Sequence, residues 1–458
     1  MSILIKNAVI FDAEKAIQTD ILLSEGGFLE IGQDIKKNAD RVIDATGKYV
    51  FPGGIDPHVH FHLPTPAGFS ADDFASGSKA ALFGGTTTII DFVTPQRGQS
   101  LIEALELRIQ DAKDSLVDYS FHISPVDWRP SLEEEIRECV RRGFPSFKIY
   151  LAYRQSIGID EETMYKVMQI VAKAGGMLTA HCELGEEVDR LRNEFASKGN
   201  LTPFYHAQSR PPYTESEAVE KAIKAVEKTG CPLYIVHVSS TESLHHIRKA
   251  QQKGLPVMAE TCPHYLLLND DKYNGDFEEI CPFVLSPPLR KFMDSEMLWK
   301  ALADGTLQTV GTDHCPFSMK QKAFGKNDFR LIPNGAGGVE HRMELLYTHG
   351  VLQNRMSKKR FAEVTSSAAT SIFSLETKGK ILVGADADLI IWNPETQKII
   401  SAKNHHSACD NSIYEGFSTK GSAEFVFKGG ELIIEDGKLL KHVPGKLVLR
   451  KAKIFGKS

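Results

Sequence analysis

The feature that most limits the fold of this chain is a serial alternation of short apolar runs with longer helical segments, from residue 53 to about residue 370. "TTTIIDFV" is followed by "SLIEALELRIQDAKDSL", and "SFKIYLA" precedes "DEETMYKVMQIVAKAG". Strands that alternate with helical patterns indicate βαβ units and a parallel sheet. At least seven such units in series predict a sheet closed as a (β/α)8 barrel.

Both ends of the chain differ from this central region, because they contain short strands separated by Gly- and Asp-rich breaks. "ILIKNAVI" and "TDILLSEGGFLEIG" lie near the start, and "ADADLIIWNP" and "AEFVFKGGELIIEDGKLL" lie late in the chain. We expect the two ends to pair into one small β-sandwich beside the barrel. The predicted division gives 1–52 and 376–440 to the sandwich, 53–375 to the barrel and 441–458 to a basic tail. No partner for the tail is evident within the chain, so we expect it to be disordered or to contact another subunit.

Composition narrows the class of protein. Apolar residues make up 42% and charged residues 25% of the chain, and the net charge is -5, which gives no reason to expect nucleic acid or an anionic membrane as a partner. The start, "MSILIKNAVIFDAEKA", lacks the layout of a signal peptide, and no run of about 18 apolar residues predicts a membrane span. Seven scattered cysteines without a CxxC pair indicate reduced thiols and a cytoplasmic location.

Polar side chains end several of the predicted strands. Because the carboxyl ends of barrel strands all face one mouth, we expect these residues to converge although they are distant in sequence. The residues concerned are His58, His60, Lys148, Tyr153, His181, His237 and Asp313, with Asp91 near the end of a further strand.

Two of these histidines, His58 and His60, are two positions apart on one strand, so their side chains point to the same face. Neutral imidazole is a common ligand of zinc. An isolated HxH motif is a weak signal. Combined with two further histidines and an aspartate, each ending a separate predicted strand, it predicts a metal site at the barrel mouth.

Seven motifs carry a resemblance to a known family. They are "GGIDPHVH", "SFKIYLAY", "TAHCE", "YIVHVSS", "SPPLR", "GTDHCPF" and "IPNGAGGVEHRMELL". In this order they are similar to the cyclic amidohydrolases, specifically the dihydropyrimidinases and D-hydantoinases, and the resemblance extends from about residue 3 to about residue 440.

The resemblance implies two zinc ions at the barrel mouth. The ligands that it implies are His58, His60 and Asp313 for the more buried ion, and His181 and His237 for the other. Lys148 would bridge both ions as a carbamate formed with CO2 (N6-carboxylysine), because an ammonium group has no lone pair to offer a metal. Imidazole and carboxylate also accept Mn, Co or Fe, so the sequence leaves the identity of the metal open.

The resemblance also implies an activity, the hydrolysis of 5,6-dihydropyrimidines or 5-substituted hydantoins to N-carbamoyl amino acids. Asp313 would accept a proton from water and later pass it to the leaving nitrogen. The Tyr153 hydroxyl would donate a hydrogen bond to the oxyanion. Backbone groups beside Ser286 and Asn334 would hold the ring imide. The implied partners are a small cyclic amide or imide substrate and further copies of the chain in a homotetramer.

Two alternatives stay open. Allantoinases and dihydroorotases use the same metal centre, although the placement of Tyr153 and the "IPNGAGGVEHR" motif favour a dihydropyrimidinase or D-hydantoinase. Dihydropyrimidinase-like proteins that have lost the ligands serve as cytoskeletal partners, but here every ligand position is filled. Of the remaining histidines, we expect His62 to be a loop residue near the substrate side chain and His314 to point away from Asp313.

Overall fold

The structure, a computed structural model, describes residues 2–12 and 16–453. Its strands, in chain order, are β1 Ile3–Phe11, β2 Ala16–Ser24, β3 Gly27–Gly32, β4 Arg41–Asp44, β5 Tyr49–Pro52, β6 Gly54–Val59, β7 Pro64–Thr65, β8 Gly68–Phe69, β9 Thr86–Val93, β10 Asp118–Ile123, β11 Ser146–Tyr150, β12 Met177–His181, β13 Leu233–Ile235, β14 Val257–Thr261, β15 Thr309–Val310, β16 Leu389–Ile399, β17 Ser418–Lys428, β18 Glu431–Glu435 and β19 Lys438–Leu439.

Helices connect most of these strands. In chain order they are α1 Phe74–Phe83, α2 Leu101–Asp111, α3 Leu132–Arg141, α4 Glu161–Lys173, α5 Gly185–Ser197, α6 Phe204–Gln208, α7 Pro212–Thr229, α8 Thr241–Gln252, α9 Pro263–Leu267, α10 Phe277–Ile280, α11 Phe292–Asp304, α12 Met319–Lys322, α13 Arg342–Leu346, α14 Lys358–Ala362 and α15 Ala368–Phe373. Within the two described ranges, no helix combines the length and the apolar character that crossing a bilayer would need.

The central sheet is parallel and has eight strands, in the order β6, β9, β10, β11, β12, β13, β14, β15. It closes where a parallel bridge joins Val59 to His314 and the His60 N–H donates to the His314 carbonyl at 2.9 Å. The predicted (β/α)8 barrel is therefore confirmed. This closure also places the ends of the first and last strands beside each other.

Burial explains why these segments form strands and helices. Every residue of β9, "TTTIIDFV", is buried, and its Thr and Ile side chains suit a strand covered on both faces. Helix α4 begins after Asp160, whose carboxylate accepts the Thr163 N–H at 2.7 Å as an N-terminal cap. One face of α4, with Met164 and Val171, is buried against the barrel, and the other is exposed.

The two chain ends share a second sheet, ordered β19, β18, β17, β16, β5, β1, β2, β3, with β4 beside β1. The join is antiparallel pairing of β5 with β16, which sets Phe51 opposite Ile390. An apolar core that includes Ile5, Ile21 and Phe427 fills this unit. The prediction of a small β-sandwich built from both ends is confirmed.

The C-terminal tail differs from what the sequence led us to expect, because part of it binds the barrel. Residues 445–450, which we call the C-terminal strap, are bound to the barrel base: the Gly445 N–H donates to the Ser115 carbonyl at 2.7 Å, and the Val448 N–H donates to the Tyr119 carbonyl at 2.8 Å. Arg450 is buried and donates to Ser120 Oγ at 2.9 Å. The expectation of a tail without an intramolecular partner is wrong for this segment, because its backbone groups and the Arg450 side chain bind the barrel. Residues 454–458 lie outside the described ranges.

Candidate metal centre and substrate pocket

Three of the predicted metal ligands form one close group at the barrel mouth. His58 lies in β6, His60 follows that strand, and Asp313 follows β15. Asp313 Oδ1 lies 3.1 Å from His58 Nε2 and 3.2 Å from His60 Nε2, and the two Nε2 atoms are 3.2 Å apart. The structure thus brings together the three donors predicted for the first ion.

Two more predicted ligands form a second group. His181 ends β12, His237 follows β13, and His181 Nδ1 lies 2.9 Å from His237 Nε2. The ring centroids of His237 and His58 are 5.5 Å apart, so the two groups adjoin. His237 and Asp313 both have positive φ, at 41° and 50°, a conformation that costs non-glycine residues energy and that is common at functional sites.

Lys148 is the sixth predicted ligand. It lies in β11, is 1% exposed, and its Nζ is 4.9 Å from the centre of the Phe92 ring and 5.0 Å from that of Tyr150. Among the residues that the structure describes, none forms a hydrogen bond or an ion pair with this amine. Burial lowers the pKa of Lys148 to about 8, although the Asp313 and Glu260 carboxylates act in the opposite direction.

The donor atoms of this site are better suited to binding a divalent cation than to hydrogen bonding with one another. Within the described chain, Nδ1 of His60 and Nδ1 of His237 are buried without a hydrogen-bond partner. Burial lowers the pKa of both imidazoles, so their rings are neutral and offer lone pairs. Burial would raise the pKa of Asp313, but the His58 and His60 rings hold it well below its usual range, as an anion. Imidazole nitrogen and carboxylate oxygen are donors that zinc takes.

A buried glutamate that we did not identify from the sequence supports the first group. Glu260, in β14, contacts His58 Nδ1 through Oε1 and accepts the Tyr234 hydroxyl on Oε2 at 2.7 Å. Burial alone would lower the pKa of His58, but Glu260 and Asp313 raise it to about 9. Since Glu260 receives Nδ1–H, it leaves Nε2 to face the mouth. In the sequence, Glu260 could have been found as the charged residue near the end of the predicted strand in "PVMAETCPHYLLL".

A second carboxylate supports the other group. Glu183 Oε2 lies 2.7 Å from His181 Nε2 and also pairs with Arg210, and both residues are buried. The ring thereby turns Nδ1 toward His237. Burial would raise the pKa of Glu183, but Arg210 and His181 lower it to about 2, so it is a carboxylate. Arg210 gave no sequence signal, because it lies far from any motif that we recognised.

The three predicted substrate-binding residues lie together beside His181. The Tyr153 ring centroid is 5.3 Å from that of His181, and Tyr153 has a positive φ of 57°. Asn334 Nδ2 donates to Ser286 Oγ at 2.9 Å. Burial raises the pKa of Tyr153, while hydrogen bonding to Ser286 and Asn334 partly offsets that rise. A neutral hydroxyl donor therefore lies next to both loop residues.

The other histidines lie outside the metal-ligand group. His62 stacks on Phe69 of the β7–β8 hairpin, with ring centroids 4.0 Å apart, and does not join His58 and His60. His314 points away from Asp313, as expected, and its Nε2 lies 2.9 Å from Asp72 Oδ2. Its Nδ1 accepts two backbone N–H groups of the loop at 338–339.

Comparison with known proteins shows to which family this chain belongs. The model of the amidohydrolase family matches residues 49–433. The chain therefore belongs to the amidohydrolase family.

Relatives within the family give the narrower group. A D-hydantoinase of Geobacillus stearothermophilus is 39% identical over 440 residues, which are 95% of this chain and 93% of that protein. A dihydropyrimidinase of Arabidopsis thaliana is 37% identical over 96% of this chain and 84% of that protein. The crystal structure of dihydropyrimidinase from Brevibacillus agri NCHU1002 superposes with a TM-score of 0.97 at 37% identity and covers 99% of both chains. The group predicted from the sequence, that of the dihydropyrimidinases and D-hydantoinases, is confirmed.

Proposed function

We propose that this protein hydrolyses the cyclic amide bond of 5,6-dihydropyrimidines or 5-substituted hydantoins and releases N-carbamoyl amino acids. The observation that carries the proposal is the convergence of two donor groups, His58–His60–Asp313 and His181–His237, beside the Tyr153 hydroxyl. The names of the relatives, hydantoinase and dihydropyrimidinase, support the same substrate class.

The donor set supports two divalent metal ions, which we propose to be zinc. His58, His60 and Asp313 would hold one ion, and the paired imidazoles of the second group would hold the other. Lys148, with an amine that lacks a partner in the described chain, would join them after its neutral nitrogen attacks CO2 and loses a proton, which leaves a carbamate anion. When bound, such a metal pair generates a nucleophile from water at neutral pH and polarises the amide carbonyl.

The chain's own residues would then handle protons and charge. The Asp313 carboxylate, held as an anion by its histidine neighbours, would accept the proton of the attacking water. It would return that proton to the ring nitrogen as the C–N bond breaks. The neutral Tyr153 hydroxyl would donate to the carbonyl oxygen, where negative charge develops. Backbone groups beside Ser286 and Asn334 would pair with the donor and acceptor of the ring imide.

We also propose that the protein is a cytoplasmic homotetramer. All seven cysteines lie in the described ranges and are free and buried, which suits a reducing compartment. The tetramer rests on the family resemblance of the sequence, and light scattering on the purified protein tests it.

The test of the activity is a substrate panel on protein of measured metal content. Dihydrouracil, hydantoin and both enantiomers of a 5-substituted hydantoin should be hydrolysed, chelation should abolish the activity, and zinc with bicarbonate should restore it. Faster turnover of allantoin or dihydroorotate would move the protein to another activity of the same metal centre. No hydrolysis of any cyclic amide after reconstitution would overturn the proposal and favour a non-catalytic role.

A further inference from the structure

Lys322, at the end of the short helix α12, is a buried cation without a carboxylate partner in the described chain. It is 1% exposed, and its three ammonium protons have three acceptors: the carbonyls of Val284 at 2.9 Å, Pro333 at 2.9 Å and Gly335 at 2.8 Å. An ammonium group has three donors, so this arrangement satisfies it completely. All three hydrogen bonds go to backbone carbonyls, and none goes to a predicted metal ligand.

The three carbonyls belong to the two loops that carry the predicted substrate-binding residues. Val284 lies two positions before Ser286, whereas Pro333 and Gly335 are on either side of Asn334. The loops also touch directly, since the Gly335 N–H donates to the Val284 carbonyl at 3.0 Å. Lys322 thus joins the backbones of both loops at one point.

The charge at this position is costly, which argues that its hydrogen bonds matter. The titratable groups that face Lys322 are thiols, Cys281, Cys315 and Cys409, and burial lowers the pKa of Lys322 to about 8. An apolar side chain of similar length would avoid that cost but would leave the inward-facing carbonyls with fewer donors.

The segment that carries Lys322 is itself anchored. Ser318 and Gln321 form a reciprocal capping box around α12. Gln321 Nε2 also donates to the Phe69 carbonyl at 2.6 Å, in the hairpin where His62 stacks. On the far side, Gly335 has a φ of 143°, and a side chain there would collide with the Cys315 carbonyl, 2.4 Å from its Cβ position. The loop backbone at Gly335 therefore packs directly against Cys315, which lies two residues after Asp313.

We propose that Lys322 is a positioning residue that ties together the two loops that hold the substrate ring, and so fixes the distance between Ser286 and Asn334; this inference rests on the proposed function. For backbone groups of two separate loops to bind one ring, the two loops must be held at a fixed distance from each other. Lys322 holds them at that distance without contacting the substrate. Its loss should weaken ring binding in the ground state and in the transition state alike.

The kinetic test compares Lys322→Met with Lys326→Met. Lys326 is an exposed lysine of the same segment, paired with Glu278 at 2.8 Å, and is the matched control. Lys322→Met should raise KM about ten-fold, the size of one or two hydrogen bonds, with kcat nearly unchanged, because uniform binding is what is lost. Lys322→Gln, which keeps two donors, should give a smaller rise. The control variant should match wild type, and all variants should hold the same amount of metal.

The structural test uses hydrogen exchange and does not depend on activity. In Lys322→Met, peptides that cover 284–290 and 332–338 should exchange faster than in wild type, while peptides from the barrel strands should not change. Unchanged exchange in both loops would overturn the inference, as would a fall in kcat with lost metal. If wild type hydrolyses no cyclic amide but both loops still exchange faster in Lys322→Met, the proposed function is wrong and the positioning role of Lys322 is retained. If the Met variant does not fold, the Gln variant carries both measurements.

Discussion

The mouth and the base of the barrel each contain a buried lysine, but within the part of the chain that the structure describes only the lysine at the base has charged partners. Lys148 at the mouth is 1% exposed, and its amine has no polar partner in the described ranges, whereas Lys378 at the base is 2% exposed and pairs with three carboxylates. Burial lowers the pKa of Lys148 to about 8. Burial also opposes the charge of Lys378, but Asp388 and Asp118 hold its pKa above the usual range.

The base is complete within the chain. Lys378 Nζ lies 2.9 Å from Asp386 and 2.8 Å from Asp388, and it also contacts Asp118. These carboxylates are close enough to resemble a metal site, but the ammonium occupies the space between them. Asp118 further accepts the Lys446 N–H of the C-terminal strap at 2.8 Å.

Buried polar residues that stabilise the fold can therefore be distinguished from buried polar residues that are suited to an external ligand. At the base, the Lys378 ammonium, from the segment before β16, lies among three carboxylates, and Lys428 of β17 lies 3.7 Å from one of them, that of Asp118. At the mouth, the neutral imidazoles of His60 and His237 lie near the Asp313 carboxylate and an amine that has no polar partner in the described ranges. Buried polar groups that remain unpaired are costly, so a site that keeps several of them is suited to an external ligand. Five substitutions, in four predictions, test this contrast.

The largest effect is expected at the base. Lys378→Met removes the cation that pairs with the buried Asp118 and Asp388 carboxylates, which should lower the free energy of unfolding by about 3–5 kcal/mol. The activity of the folded fraction should stay near that of wild type, because the site at the mouth is untouched. Urea unfolding and assays at low temperature measure the two quantities. Lys380→Met, at an exposed neighbouring lysine, is the control, and equal stability of both variants would contradict the contrast.

The next effect is at the mouth. Lys148→Ala should reduce activity by more than about 100-fold, since even groups that only orient metal ligands are worth 10–100-fold. Acetate or propionate should restore part of the activity by supplying the missing carboxylate. The metal-free variant should be as stable as metal-free wild type, because no ion pair is broken. Turnover at the wild-type rate would show that Lys148 is not needed.

A smaller effect is expected from the carboxylates behind the histidines. Glu260→Gln and Glu183→Gln should each cost about 10–100-fold in metal affinity or activity. Because Glu260 orients His58 and Glu183 orients His181, each variant should weaken one of two metal-binding steps in a chelator competition. Glu162→Gln, on the outer surface of α4, is the control. Full metal occupancy in both variants would show that these carboxylates only serve the fold.

The smallest effect concerns acid stability at the barrel closure. Burial would raise the pKa of Asp72, but His314, Ser407 and the Ala408 N–H lower it to about 2. Since this folded-state pKa lies below that of the unfolded chain, the stabilisation is full above about pH 4 and is lost as the pH falls toward 2. Between pH 5 and pH 3, wild type should lose about 1 kcal/mol more than Asp72→Asn. Parallel pH profiles of the two proteins would refute this assignment.

The sequence was sufficient for the barrel and for the position of each candidate ligand, because parallel strands end at one rim and a polar residue there faces the mouth. It was insufficient where partners are distant and leave no pattern. Glu260 is one charged residue inside an apolar strand, and its partner His58 lies about 200 positions away. The acceptors of Lys322 are backbone carbonyls, which every residue has. The C-terminal strap looked like a basic tail because the groups that it binds on the barrel belong to β10 and its neighbours.

The shared sheet of the two chain ends has a consequence for biosynthesis. Strand β5 cannot pair with β16 until the whole barrel has been translated. At about 5–20 residues per second, the first strands wait for tens of seconds with an unpaired edge beside the ribosome. This interval, rather than the barrel itself, is where a nascent chain of this design is most exposed to misassembly, and where chaperones would have the longest opportunity to act.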